Sequence, residues 1–352
     1  MKFIDWGKVN MMEMDGYISV QKHPTLDLYI YNYTQKCQFA RMWTDETMQC
    51  RGLIADDQGN IIAQPFSKFF NLDEYVQMGN ELPTDDFEVF DKLDGSLGIL
   101  YWENGEPALA TRGSFVSEQA IKGTEILREK YRHVLWRDDV TYLFEIIYPA
   151  NRIVVDYGKT EDIFLLTVID KKTGEEWDYK HMEEVFRGTG IPVVERFDGL
   201  KDFEEIKKMT RENAEGVVIK WPSGLRVKVK YDEYVRLHRI VTGVNAKRIW
   251  EHLKNNESLD ELLERVPDEF YQWVTGIVNQ LNEMYKQVED EAISKYNDIP
   301  QGLDRKTIAL KIKDFPNSGI IFRMLDKKDY SEIIWKLIKP AAERPFKEDI
   351  DA

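Results

Sequence analysis

Apolar positions along this chain change texture near residue 243, from short β-rich runs separated by turn signals to positions that recur every third or fourth residue. Alternation marks a strand with one covered face, and the longer spacing marks one face of a helix. Leu53-Ile54-Ala55 and Ile61-Ile62-Ala63 flank Asp57-Gln58-Gly59-Asn60, which predicts a hairpin. Leu97 to Trp102 and Ala108 to Arg112 flank a turn at Asn104-Gly105, predicting a second. Phe87, Val89 and Leu93 alternate with polar neighbours and predict a strand carrying Lys92 and Asp94 on one face. Further strands are expected over 142–147, 163–169, 216–220 and 225–230, with helices over 117–132, 179–187 and 201–213.

Beyond Val244 the pattern becomes helical. Ser258-Leu259-Asp260-Glu261 fits a capping box. Trp273, Ile277, Leu281 and Tyr285 recur every four residues, with Val274, Val278 and Val288 widening the stripe into a core face. Shorter helices are expected over 306–313, 320–325 and 330–338, and the acidic end, 347–351, is expected to be solvated. No βαβ alternation or glycine-rich phosphate fingerprint occurs, which argues against Rossmann and P-loop folds. The expected fold is α+β, with antiparallel sheets in a domain over 1–243 and an all-helical domain over 244–352.

Composition adds constraints. The 352 residues are 43% hydrophobic and 32% charged, an ordinary globular mix with no run of transmembrane length. Two cysteines, Cys37 and Cys50, give no disulfide framework, and a cytoplasmic setting is expected. A net charge of −15 argues against a generally basic coat, so any polyanion must meet a local positive cleft. One exists: residues 220–239 hold six Lys/Arg against two acids, a local +4. The five histidines show no metal-ligand spacing.

Candidate chemistry centres on Lys92-Leu93-Asp94-Gly95-Ser96. A lysine that attacks phosphorus must be neutral, and near pH 7.5 only about one free lysine in a thousand is. Burial and nearby cations are therefore required. Gly95 allows a sharp turn or a close approach to a ligand. Lys228 and Lys230 alternate on one strand face, with Val227 and Val229 inward, so both ammonium groups can reach the same phosphates. Glu145 lies in the apolar run 142–148, where an unpaired carboxylate is costly; a ribose hydroxyl or a hydrated Mg²⁺ would partner it.

These motifs occur in a fixed order: Cys50-Arg51-Gly52, Lys68-Phe69-Phe70-Asn71-Leu72, the Lys92 pentad, Thr111-Arg112-Gly113-Ser114, Phe144-Glu145-Ile146, Pro149-Ala150-Asn151-Arg152-Ile153-Val154, Glu215-Gly216-Val217-Val218 and Arg226-Val227-Lys228-Val229-Lys230. The series resembles the covalent nucleotidyltransferase superfamily, and most closely the bacteriophage-type RNA ligase 1 family, over Cys50 to His238. The resemblance implies that Lys92 takes AMP from ATP as a phosphoramidate, passes it to an RNA 5′-phosphate, and lets a 3′-hydroxyl displace it. It implies phosphate contacts for Arg51, Lys68, Lys228 and Lys230, an aromatic contact for Phe70, and nucleotide-site places for Asp94, Gly95, Arg112 and Gly216. Glu145 and Glu215 would hold the metal, directly or through water, and Val218 would pack on adenine. Mg²⁺, replaceable by Mn²⁺, would be the cofactor.

Expected partners are RNA with 5′-phosphate and 3′-hydroxyl ends, tRNA among the candidates, and an end-healing kinase/phosphatase, in the cytoplasm or a phage host's cytoplasm. No membrane partner is expected. Two departures stand out: Arg112 where relatives can carry lysine, and Ile146 where they can carry an aromatic. Arginine keeps the charge but cannot act as a base. The alternatives are a DNA ligase or mRNA capping guanylyltransferase, which usually attach an OB barrel after the last lysine motif, and an inactive ligase-like RNA-binding protein.

Overall fold

A computed structural model describes residues 4–236, 245–259 and 268–340. The chain divides into two compact units, Met1–Val241 and Thr242–Ala352. Among the described residues every strand lies in the first unit, and the elements of the second are helices.

Among the described residues of the first unit, thirteen strands form three sheets. The first sheet runs β1 (Ile18–Lys22), β2 (Leu28–Tyr33), β3 (Arg51–Asp56), β4 (Ile61–Ala63), all antiparallel. The second involves β6 (Glu88–Lys92), β12 (Gly216–Lys220), β13 (Arg226–Lys230), the two-residue β5 (Phe70–Asn71) and β11 (Arg196–Phe197), in the order β11-β6-β12-β13-β5. The third orders β10 (Asp162–Asp170), β9 (Val140–Ile147), β7 (Ser96–Glu103) and β8 (Glu106–Ala110). Pairing is antiparallel except between β13 and β5, which run parallel.

Both expected hairpins form. The β7–β8 turn uses Asn104 and Gly105 at φ 52° and 84°, the two left-handed positions that a two-residue hairpin with matching twist requires. At the β3–β4 turn the Asp56 carboxylate accepts from the Gln58 and Asn60 amides. The helix over Glu118–Lys130 is capped by Ser117 and packs Ile126 and Leu127 onto the third sheet. The helix expected over 201–213 is shorter, Phe203–Lys208, capped by Asp202. Beyond it Asn213 takes a left-handed φ and binds the backbone of Asp156, which a continuing helix would forbid.

One expectation at the nucleophile strand is corrected. Strand β6 ends at Lys92, and Asp94 lies in the bend leading into β7 rather than beside Lys92 on a strand face. Ahead of Arg51, where the apolar pattern predicts no elements, lie β1, β2 and helices over Trp6–Met14, Gln35–Ala40 and Asp45–Gln49.

In the second unit a long helix, Asp268–Asn297, presents Leu281 and Ala292 as buried positions. Ala292, Ile320 and Ile334 meet between it and the helices Ser318–Leu325 and Ser331–Leu337. The side chain of Trp273, Asp260 and Glu261 of the expected capping box, and the acidic end lie outside the described residues.

Candidate active site

The register of the second sheet assembles the lysines. Gly216 of β12 stands opposite Lys92 of β6 on one side and Lys230 of β13 on the other. Two residues along, Val218 stands between Phe90 and Lys228. Since strand side chains alternate, Lys92, Val218, Lys228 and Lys230 share one face. Val89, Val217, Ile219 and Val227 point the other way into a core with Trp221. The predicted pairing of Lys228 and Lys230 on one face therefore holds, and Lys92 joins them.

Glu215 joins two of these lysines. Its Oε1 lies 2.7 Å from Lys92 Nζ and 2.8 Å from Lys230 Nζ, and its side chain is only 4% exposed. Burial alone would push this carboxyl up, but Lys230 and Lys92 outweigh it and hold Glu215 below the usual carboxylate range. A Cβ at Gly216 would fall on the carbonyl oxygen of Val229, so only glycine lets β12 and β13 close this tightly beside Glu215.

Glu145 reaches the same place from β9. Its Oε1 accepts the Gly95 amide at 3.0 Å, and a Cβ at Gly95 would sit 2.5 Å from the Ile146 carbonyl oxygen. The lysine turn is thus pressed onto the third sheet. Burial pushes the Glu145 carboxyl up to about 8, with Lys92 opposing and Glu215 adding to the rise. Glu145 and Glu215 are the buried carboxyl groups here that could take part in holding a divalent cation. Among the described residues no group of three or more His, Cys, Asp and Glu could hold a metal.

Asp94 is buried. Its Oδ2 accepts the amides of Val154 and Val155, both at 2.9 Å, and its Oδ1 accepts the Tyr234 hydroxyl at 2.7 Å. The Asp94 amide donates to the Tyr157 hydroxyl at 2.8 Å. Sequence reasoning misses Tyr157 and Tyr234; the available signal is a tyrosine three or four residues past a motif. Asn151 donates to Ser96 Oγ at 3.0 Å, whereas Arg152 is an exposed partner of Asp156 at 2.7 Å.

The remaining predicted residues form a second group at the first sheet. Lys68 is buried, with its ammonium 5.6, 5.3 and 5.3 Å from the ring centres of Tyr33, Trp43 and Phe70. Arg112 donates to the Tyr33 hydroxyl at 3.1 Å, and Arg51 lies 5.3 Å from the Phe69 ring. Pairing of β5 with β13 sets Asn71 beside Lys228, which ties this group to the lysine sheet.

A strand-borne lysine held by a buried carboxylate, two more lysines on its face, and a second carboxylate from the facing sheet define an enzyme built for phosphate chemistry. The family model described as RNA ligase matches residues 49–234, more than half the chain, and this chain belongs to that bacteriophage-type RNA ligase family. It is 24% identical over 383 residues to an RNA ligase of Rhodothermus phage RM378, covering 85% of each chain. A protein of Thermovibrio ammonificans provisionally named an RNA ligase is 26% identical over 275 residues, 70% of this chain and 72% of that one. Among solved structures, a point mutant of Naegleria gruberi RNA ligase with ATP and Mn is 20% identical, with a TM-score of 0.41, over 49% of this chain and 56% of that one. The family selects RNA joining over the DNA-joining and capping alternatives, and RNA as the substrate. No helix among the described residues is long and apolar enough to cross a membrane.

Proposed function

We propose that this RNA ligase uses ATP to join RNA 5′-phosphate and 3′-hydroxyl ends through a Lys92–AMP adduct and an adenylated RNA. The observation that carries the reading is Glu215, buried and shared by Lys92 and Lys230 at 2.7 and 2.8 Å. A lysine fixed in this way is aimed before substrate arrives, and orientation of a nucleophile is a large part of catalysis.

In the first step Lys92 Nζ, having shed a proton to solvent, bonds to the α-phosphorus of ATP. The bond from that phosphorus to the α–β bridging oxygen breaks, its electron pair leaves with pyrophosphate, and the nitrogen loses a second proton to solvent. Lys228 and Lys230 face the transferred phosphate from the same sheet, where preorganised charge counts most. Val218, between Phe90 and Lys228, offers an apolar surface for adenine. Arg51, Lys68 and Arg112 supply positive charge towards the outer phosphates, with Phe70 packing against Lys68. Asp94 acts by position: its carboxylate ties the turn after Lys92 to 154–155 and to Tyr234.

Glu145 and Glu215 would hold Mg²⁺, or Mn²⁺ in its place. When bound, the cation neutralises phosphate charge and eases departure of pyrophosphate. The AMP then passes to an RNA 5′-phosphate, and a 3′-hydroxyl displaces it. Ends carrying other chemistry need a kinase or phosphatase to prepare them, so an end-healing partner fits, with broken tRNA a substrate of the right kind. The free, buried thiols of Cys37 and Cys50 support action in a reducing cytoplasm, a phage host's included.

The test is incubation with α-labelled ATP and Mg²⁺. Label should remain on the denatured protein, be lost in acid, and be absent from Lys92→Ala. Undiminished labelling of that variant would remove Lys92 from its role, and labelling by GTP in preference to ATP would overturn the choice of nucleotide. Lys92→Ala should retain part of its ability to seal pre-adenylated RNA, a step that needs no lysine nucleophile.

A further inference from the structure

Residues 4–48 precede the matched region and carry none of the motifs, yet two of their aromatic side chains hold the cation group together. Tyr33 closes β2 and is 2% exposed. Its ring centre lies 5.6 Å from the Lys68 ammonium and 5.3 Å from the Arg112 guanidinium, and its hydroxyl accepts from Arg112. Trp43 stands edge-on to Tyr33, with centroids 5.2 Å apart at 88°, and to Phe70, 5.5 Å apart at 75°. Lys68 comes from the segment between β4 and β5, and Arg112 from the one after β8. They are far apart in the chain and meet on one tyrosine.

This arrangement has a physical purpose. A lysine carries rotamer entropy that a ligand contact would otherwise have to overcome. Three rings around the Lys68 stem and ammonium remove that freedom in advance, and the surroundings are poor in water, where charge acts strongly. The same tyrosine aims the fork of Arg112. The segment that carries Lys68 runs into β5, which lies beside β13 in the sheet that presents Lys228 and Lys230.

We propose that Tyr33 and Trp43 are positioning residues that set Lys68 and Arg112 for the pyrophosphate end of the nucleotide. The segment ahead of the matched region thereby governs charging of Lys92 rather than sealing of RNA. The proposal rests on the ATP reading above. Sealing of pre-adenylated RNA releases AMP and involves no pyrophosphate, so the two reactions separate the role from simple folding.

The full chain is compared with Trp43→Leu, Trp43→Phe and Tyr33→Phe, each checked for a wild-type melting profile. Three rates are read: Lys92–AMP formation against ATP concentration, discharge of preformed Lys92–AMP by pyrophosphate, and sealing of pre-adenylated RNA. Trp43→Leu should raise the KM for ATP and slow pyrophosphate discharge by about tenfold each, and Trp43→Phe should restore both to within about threefold. Tyr33→Phe keeps the ring and loses only the hydroxyl that orients Arg112, so it should weaken both by about threefold to tenfold. Sealing should stay within about threefold throughout. Should Trp43→Leu fail to fold, Tyr33→Phe decides alone. Equal loss of sealing, or unchanged handling of ATP and pyrophosphate, would overturn the proposal. A wild-type chain that takes no label from ATP would instead defeat the reading on which it rests.

Discussion

At the scale of the residue, Glu215 decides whether the lysine face is coherent. Its one buried carboxylate is the counter-ion that two ammonium groups share, and Lys230 has only 6% of its side chain exposed. Glu215→Ala leaves two cations facing each other without the shared anion. Breaking a buried pair typically costs about 3 kcal/mol or more, and urea unfolding of the variant should show a loss of that size. Adenylation should fall by about a hundredfold or more, as removal of a preorganised charge contact does. A stable Glu215→Ala protein that still labels normally would mean that the carboxylate is incidental. Glu145 behaves oppositely. With its carboxyl up at about 8 in the fold, against an ordinary value near 4.3 in the unfolded chain, the folded state holds the proton more tightly. Its contribution to stability is complete below about pH 4 and is lost as pH rises through about 8. In metal-free buffer, Glu145→Gln should therefore gain stability relative to wild type between about pH 5 and pH 9. A difference that stays flat with pH would show that Glu145 ionises as an ordinary carboxyl. The lysines and both glutamates were legible as candidates because each breaks a local rule, a charge inside an apolar strand or beside a glycine. Tyr157 and Tyr234 were not, because the contacts that give them meaning join positions 63 and 140 residues apart.

At the scale of the element, close approach between strands is what sets the lysine face. Gly216 and Gly105 make a controlled pair. At Gly105, in the β7–β8 turn, nothing lies within 4 Å of an added Cβ, and the cost of alanine is the left-handed backbone alone, about 1 kcal/mol. At Gly216 the same methyl collides with the backbone of β13, which cannot yield without moving Lys228 and Lys230. Gly216→Ala should cost about 3 kcal/mol, the upper range for overpacking, and depress adenylation far more than stability explains. Gly105→Ala should label normally. Equal behaviour of the two variants in both assays would refute the close-packing account. Strand β13 was legible because apolar and polar residues alternate along it, whereas β3 and β7 were legible as short apolar runs bounded by turn signals. The two-residue β5, its parallel pairing to β13 and the early end of β6 were not, because segments that short carry no period and their partners lie far away in sequence.

At the scale of the whole molecule, the residues that would handle nucleotide all fall within Met1–Val241, and each unit has its own buried core. The helical cluster of Ala292, Ile320 and Ile334 is closed by Tyr285, Val288 and Ile333 from the same unit. The members of this cluster all belong to the second unit, as in a helical domain with its own core. A chain ending after Val241 should therefore remain folded and still form the Lys92 adduct at a rate within about fivefold of the full protein. What it should lose is discrimination among RNAs, since double-stranded and looped RNA is recognised mainly by shape and backbone contacts over an extended surface. Sealing of a nicked hairpin should drop relative to sealing of a linear strand when the two are compared in one reaction. A folded truncation that takes no AMP would place part of the nucleotide site in the helical unit. A truncation that seals both RNAs with unchanged preference would mean instead that the first unit reads the substrate by itself.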